Sequence, residues 1–442
     1  MPVDALPSTY QETLEFLFAQ LPMYHRVGAA AFKKDLTNTL ALCAHLDQPQ
    51  HRFLSVHVGG TNGKGSVSHF LAAACQAAGL KTGMYISPHY KDFRERIRIN
   101  GEYIPRERVT EFVRQHGALA ETIHPSFFEW CVAMAFDYFA QEKVDIAIVE
   151  VGLGGRLDST NVITPLLSVI TNISFDHTDM LGHTLPLIAG EKAGIIKPGV
   201  PVVIGETHPE TAPVFQEKAA EMGASIVFAD QLLEAKPVAE GFWNIYRAGR
   251  IWLESLRTTA EGPYQPKNMA TALEALAVLD VQPAFQALLQ QKGKVSLFPE
   301  AVFDGFDRLR QLTRFQGRWQ VIGTRPAVLC DSAHNDAGLE AAFGQIRQMK
   351  FDRLHIVTGF VNDKDLNKAL RHFPASARYY FAKANIPRGL DAKELKREAM
   401  VWGLEGRAYS SVKNALRAAR RHADPDDLIV VIGSIFVVAE VL

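Results

Sequence analysis

Phe53-Leu-Ser-Val-His-Val-Gly-Gly-Thr-Asn-Gly-Lys-Gly-Ser66 is a short β-rich run that stops on glycines and restarts as a helix. Ser66 to Ala78 continues that helix, with Val67, Phe70, Leu71 and Ala74 on one face. Strand, glycine loop and helix in this order form the context a phosphate cradle requires. Small residues let backbone N–H groups approach phosphate oxygens, the helix N-terminus adds positive potential, and Lys64 has the length to reach β- and γ-phosphates. Ser66 offers a hydroxyl to phosphate or Mg²⁺. The common pattern places Ser or Thr directly after the Lys, whereas Gly65 intervenes here. The alternative, a glycine-rich structural turn, accounts for neither the Lys nor the hydroxyl.

Outward from this loop, short apolar runs recur at Thr82 to Ile86, Val144 to Val151, Leu166 to Ile173 and Val200 to Ile204, mostly separated by helical stretches. Such spacing predicts βα units and a largely parallel sheet. Arg96 to Ile104 is a local exception: Asn100-Gly101 between alternating residues predicts a hairpin. Before the loop, Thr9 to Leu21 and Lys34 to Leu46 carry helical periodicity, with a break at Pro22 to Gly28. The pattern blurs from 285 to 315. A second alternating series follows, with strands at Ala327–Cys330, Leu354–Thr358, Arg378–Phe381 and Leu428–Ile432, and helices at Asp336–Gln348, Asp391–Met400 and Ser411–His422. The expected fold class is α/β: an N-terminal mostly parallel sheet with flanking helices, then a smaller α/β domain. The boundary is placed at 296/297.

The bulk numbers agree with a globular, multidomain chain. It has 442 residues, 47% of them hydrophobic and 21% charged, and a formal net charge of −1. That charge gives no electrostatic footprint for nucleic acid or an anionic membrane. Cys43, Cys75, Cys131 and Cys330 are scattered, which suggests neither a disulfide framework nor a zinc site. The N-terminus lacks a basic start followed by an apolar run, and the longest apolar stretch, Leu428 to Leu442, is short for a bilayer and contains Ser434 and Glu440. A cytoplasmic location is expected.

Glu150 closes an apolar run, at the end of a parallel strand where α/β proteins bind ligands. There it would hold Mg²⁺, which prefers oxygen and shares it with phosphates; a capping or surface glutamate is the alternative. Asp176-His-Thr-Asp179 follows another strand, so His177 reads either as a metal ligand or as a hydrogen-bonding core histidine. Lys192 reads locally as a plain helix lysine. Arg94, Arg96 and Arg98 alternate and would share one face, read first as a solvated hairpin face, with contact to an anionic substrate as the alternative. Phe127, Phe128 and Trp130 read first as core, with a flat apolar pocket as the alternative.

Gly60-Thr-Asn-Gly-Lys-Gly-Ser66, Ser87-Pro-His89, Gly152-Leu-Gly-Gly-Arg-Leu-Asp-Ser-Thr-Asn161 and Glu191-Lys-Ala-Gly-Ile-Ile-Lys-Pro198 together resemble the folylpolyglutamate synthase/dihydrofolate synthase family of the murein-ligase-like superfamily. The resemblance covers nearly the whole chain. It implies a P-loop-type ATP-binding domain with folate and metal sites, and a Rossmann-like C-terminal domain that closes over ATP and binds glutamate. It implies ATP contacts from Thr61, Asn62, Gly63, Lys64, Gly65, Ser66, Asn268, Arg318, Asp331 and His334. Ser87, Glu150 and His177 look like magnesium ligands, and Lys192 matches a lysine carbamylated in the family, so that Lys64, Glu150, His177 and Lys192 form the catalytic set. The pterin pocket would draw on Ser126, Phe127, Phe128 and Glu129, on Leu157, Asp158 and Ser159, and more weakly on Met23 and Tyr24.

The implied activity is ATP-dependent joining of L-glutamate to dihydropteroate, to the glutamate tail of tetrahydrofolates, or to both, by a monomer with ATP and Mg²⁺ and without nucleic-acid or membrane partners. A murein-precursor ligase would share the loop, but the 58 residues before Gly59 leave little room for a nucleotide-sugar domain. Gln316, Ser332 and Tyr264 depart from the family's common proline, glycine and histidine.

Overall fold

A computed structural model describes residues 7–22, 35–362 and 365–442. The turn expected at Pro22 to Gly28, the candidates Met23 and Tyr24, and the pair Asp363-Lys364 lie wholly or mainly outside these residues. The chain forms two compact units: Met1–Thr259 with Pro266–Arg314, and Ala260–Gln265 with Phe315–Leu442.

In the first unit, β1 (Leu54–Gly59), β2 (Thr82–Tyr85), β3 (Ile97–Ile99), β4 (Glu102–Tyr103), β5 (Ile146–Glu150), β6 (Leu167–Ile170), β7 (Val202–Ile204) and β8 (Ile226–Phe228) build one sheet. Its order is β4-β3-β2-β5-β1-β6-β7-β8, and only the β2–β3 and β3–β4 pairings are antiparallel. These two form the hairpin expected at Asn100-Gly101, whose φ angles of 49° and 76° are the positive pair a tight hairpin turn needs. The central strands are buried along nearly their whole length, as a parallel sheet covered on both faces requires. Strand order reverses about β1, so the carboxyl ends of β1, β5 and β6 open a crevice at a topological switch point.

The loop helix, Lys64–Ala77, is buried from Ser66 to Cys75. It packs on the sheet and is covered by the helix Glu300–Asp307, where Phe70 and Phe306 meet with ring centroids 4.5 Å apart. At Gly305 a Cβ would lie 2.8 Å from the Ala73 backbone, so the helices touch main chain to main chain. This packing corrects the boundary expected at 296/297: the unit break falls at Arg314/Phe315 because 300–313 completes the core around the loop helix. The stretch 285–315, blurred in the sequence, is helical at Pro283–Gln291, Glu300–Asp307 and Leu309–Thr313.

A three-stranded antiparallel sheet, β9 (Leu233–Ala239), β10 (Phe242–Arg247) and β11 (Arg250–Arg257), was not anticipated. Its strands are largely solvated, with irregular register, and so lack a clean alternation.

The second unit carries β12 (Gln320–Thr324), β13 (Ala327–Cys330), β14 (Leu354–Thr358), β15 (Arg378–Ala382), β16 (Gly406–Tyr409) and β17 (Leu428–Ile432) in the order β12-β13-β17-β14-β15-β16. Only β12 is antiparallel. The four expected strands are its buried interior; β12 and β16, the half-exposed edges, escaped the sequence reading. No single helix among the described residues is long and apolar enough to cross a membrane.

Candidate active site

The ends of β1, β5 and β6 lie level. Val58 pairs with Glu150 and Gly59 with Ile170, so residues just beyond these positions converge on one edge of the sheet. The glycine loop is bound to the segment after β6. Thr61 N–H donates to Asn172 O at 2.9 Å, Asn62 N–H to Asn172 Oδ1 at 2.9 Å, and Ser174 N–H to Thr61 Oγ1 at 3.1 Å. Two loop glycines are sterically required. Gly60 has φ +130°, and a Cβ there would overlap Thr171; Gly63 has φ +87°, and a Cβ would strike Asn268 Oδ1. Gly63 N-caps the loop helix, directing its first N–H groups into the loop. Asn268 therefore lies at the loop, although it is distant in sequence.

Glu150 is the last residue of β5 and is buried, and its Oε2 accepts Ser87 N–H at 3.2 Å. A Cβ on Gly65 would lie 3.8 Å from Glu150 Oε1, so the intervening glycine faces this carboxylate. Lys64 Nζ donates to the Gly60 and Thr61 carbonyls, each at 3.0 Å. Lys192 comes from the last turn of the helix Leu185–Ala193 and is 4% exposed. Its ammonium is pushed down to about 7, first by burial and then by Lys64, against the opposing pull of Asp176 and Asp158. A plain solvated helix lysine is thereby excluded. His177 is held at φ +50° in the loop after β6; its N–H donates to Asp176 Oδ1 at 2.9 Å, and its ring Nε2 lies 3.8 Å from the same oxygen.

The structure thus brings Thr61 to Ser66, Ser87, Glu150 and Lys192 to one edge, with Asp176 and His177 on the loop next to it. Among the described residues no three His, Cys, Asp or Glu side chains form a closed metal cage. Glu150 and its neighbours leave open positions of the kind a divalent cation shares with water and phosphate.

The folate-side candidates divide by what their side chains already do. Ser126 and Glu129 close a capping box at the start of the helix Phe127–Gln141, with Ser126 N–H donating to Glu129 Oε2 at 2.6 Å. Phe127 is core, 5.9 Å from the Phe93 ring. Phe128 is half-buried, 6.0 Å from the Tyr85 ring, and lies so close to Gly152 that a Cβ there would overlap it. Asp158 is spent on its own loop, accepting from Leu153 N–H at 2.7 Å and Thr160 N–H at 3.0 Å. Ser159 is buried beside it, and Leu157 keeps a partly open side chain.

In the second unit Asp331 is buried and takes N–H groups from Trp319 and Ala333, each at 2.8 Å, together with the Tyr264 hydroxyl. It fixes the turns that carry Arg318 and His334, whose Nδ1 is 3.0 Å from Ser332 O. Tyr264, a departure from the family pattern, thereby acquires a partner.

The hairpin arginines correct the sequence reading. Arg96 and Arg98 are 3% and 2% exposed, not solvated. Arg98 Nε donates to Glu95 O at 2.9 Å and its Nη1 to Thr313 O, while Arg96 lies over the Phe127 ring at 5.3 Å. The helix Leu309–Thr313 covers the hairpin, which its local sequence does not reveal.

Mur ligase middle domain matches residues 58–231, and Mur ligase, glutamate ligase domain matches 317–435. A folylpolyglutamate synthase of Lacticaseibacillus casei is 32% identical over 98% of this chain and 97% of its own length. A dihydrofolate synthase/folylpolyglutamate synthase of Bacillus subtilis is 33% identical over 88% of each. The chain belongs to the folylpolyglutamate synthase/dihydrofolate synthase family. A probable bifunctional folylpolyglutamate synthase/dihydropteroate synthase of Haloferax volcanii is 32% identical, and there the chain spans half of the relative's length. Family structures superpose throughout. Escherichia coli FolC in complex with DHPP and ADP gives a TM-score of 0.83 at 30% identity, covering 99% of this chain and 97% of that one. A bifunctional family enzyme with Mn, AMPPNP and L-glutamate bound gives 0.82 at 29% identity, covering 99% and 98%.

Proposed function

We propose that this chain is an ATP-dependent ligase that joins L-glutamate to dihydropteroate and to the glutamate tail of tetrahydrofolates, releasing ADP and phosphate. The carrying observation is the convergence of the phosphate loop, buried Glu150 and buried Lys192 on one sheet edge, in a chain similar throughout to this family's enzymes.

A carboxylate does not condense with an amine in water because its oxygen is a poor leaving group. Transfer of the γ-phosphoryl group to the acceptor carboxylate makes an acyl phosphate; the α-amine of L-glutamate then attacks and phosphate leaves. The protein's contribution is positioning and charge neutralisation. Amides of Thr61 to Ser66 cradle phosphate, Lys64 screens the β- and γ-oxygens, and Asn268 buttresses the loop from the adenine side. Ser87, Glu150 and His177 would hold Mg²⁺, which supplies charge compensation for phosphoryl oxygens when bound. Arg318 is assigned to nucleotide phosphate and His334 to the reacting end, on turns set by Asp331. The buried, readily deprotonated amine of Lys192 fits carbamylation, which would convert it to an anion beside the phosphate loop. Phe128 and Leu157 offer the flat apolar surface a pterin needs.

The test is ADP release by purified protein with L-glutamate, comparing dihydropteroate with tetrahydrofolate. Release of AMP and pyrophosphate, or ADP release indifferent to L-glutamate, would overturn the proposal. The Lacticaseibacillus casei relative, named for folylpolyglutamate synthesis alone, favours a second reading, and activity on tetrahydrofolate only would establish it. Cytoplasmic location and a monomeric state accompany the proposal; molar mass by light scattering checks the latter.

A further inference from the structure

Beneath the folate-side loop lies a buried line of side chains that plays no part in the chemistry above. His57 sits on β1, two residues before Gly59, with its side chain fully buried. Its Nε2 is 2.8 Å from Thr160 Oγ1, and the Thr160 hydroxyl donates to Asp158 Oδ1 in a short hydrogen bond. The hydroxyl has one proton, and Asp158 takes it. Asp158 also accepts the N–H groups of Leu153 and Thr160, the pattern of a carboxylate acting only as acceptor. The ring must therefore donate from Nε2, which leaves Nδ1 a bare acceptor; that atom is buried and has no hydrogen-bond partner among the described residues. Burial, and secondarily Lys197, push the ring down to about 3, so it stays neutral. An orphan buried acceptor is costly. For stability alone an apolar side chain would serve β1 better.

What the ring achieves lies at the other end of the line. Asp158 ties down the amide of Leu153, in the turn that begins directly after Glu150, and the Phe128 ring rests on Gly152 of that turn. The phosphate loop takes its hydrogen bonds from other residues, Thr171, Asn172, Ser174 and Lys192, with Asn268 against Gly63. We infer that His57 is a positioning residue which, through Thr160 and Asp158, sets the Gly152–Asp158 loop for the pterin-bearing acyl acceptor and leaves nucleotide binding untouched. This rests on the proposed function.

The experiment compares steady-state kinetics of His57→Met, Thr160→Val, the double variant and His57→Gln, with dihydropteroate and ATP varied separately. The expected result is a rise of about tenfold in KM for dihydropteroate in each single variant, with kcat and KM for ATP within about twofold. The double variant should be no worse than either single one, because both break the same line. Gln, whose amide N–H can occupy the position of ring Nε2, should restore the wild-type KM. Equal rises in both KM values, additive effects, or Gln behaving as Met would overturn the inference. Should His57→Met fail to fold, Thr160→Val against Thr160→Ser makes the same comparison. Wild-type protein without acceptor-dependent ADP release would instead sink the functional proposal, so the two failures are distinct.

Discussion

Lys192 Nζ donates to the carbonyl oxygen of Gly60 at 2.8 Å, and that same oxygen accepts from Lys64 Nζ at 3.0 Å. Burial first, and then the Lys64 amine on the same oxygen, favour the neutral form of Lys192, lowered from an ordinary 10.5 to about 7. A lowered lysine binds fewer protons folded than unfolded, so its penalty to stability is fully present below about pH 7 and is relieved as pH rises towards 10.5. The neutral amine is also the species that adds CO₂. Native mass analysis should find one CO₂ adduct on Lys192 with bicarbonate at pH 8 and lose it at pH 6. Lys192→Ala should lose activity and regain part of it with a short carboxylate. An unmodified lysine at both pH values, with no response to bicarbonate, would contradict the carbamate.

Glu150 is a buried carboxylate that touches the Ser87 amide and faces Gly65. Glu150→Gln keeps its size and removes its charge. Loss of even an outer-shell partner costs about 10–100-fold in metal affinity or activity, so kcat should fall by at least about 100-fold, with the Mg²⁺ activation curve displaced to higher concentration. A Mg²⁺ titration at saturating ATP is the check; an unchanged curve would remove Glu150 from the metal site.

Gly63 has φ +87° and lies against Asn268 Oδ1. Gly63→Ala should destabilise the first unit by about 1–2 kcal/mol through backbone strain and raise KM for ATP. Adding Asn268→Ala removes the steric part and leaves the strain. The double variant should therefore recover only the steric share of the lost stability in urea denaturation, without recovering full ATP affinity.

Asp427 in the second unit is 2% exposed and accepts from the ring of His355 at 2.9 Å, from Asp424 N–H at 2.8 Å and from Arg353 N–H at 3.0 Å. Burial pulls this carboxyl upward, but the Asp424 amide and the His355 ring outweigh it and hold it below the ordinary range. Its stabilisation is present above the unfolded carboxylate value and is lost as pH falls through the lower folded one. Asp427→Asn should cost about 3 kcal/mol or more at pH 7 and much less at pH 2. Urea denaturation at the two pH values distinguishes this from a uniform loss.

Much of this architecture is legible in the sequence. The βα alternation, the Asn100-Gly101 turn and the strand–loop–helix at 53–78 are local, and each formed where its pattern lay. The half-exposed edges β12 and β16 and the solvated β9 to β11 were missed because they bury too little to show a period. The hairpin arginines were misread because alternation states which residues share a face, not what later covers it. Asn172, Thr171 and Ser174, which hold the phosphate loop, carry no motif; following a strand of the same series was their only signal.

The sequence by itself determined the phosphate loop, the α/β class, the strand-end position of Glu150 and the place of His177 after a strand of the same sheet, because backbone periodicity and glycine chemistry act over a few residues. Only the tertiary structure decided that Lys192 is a buried amine beside Lys64, that 300–313 completes the first unit, and that His57 reaches Asp158 through Thr160. Those outcomes depend on burial and on contacts between residues far apart in the chain, which change a side chain's charge and partners without changing its local pattern.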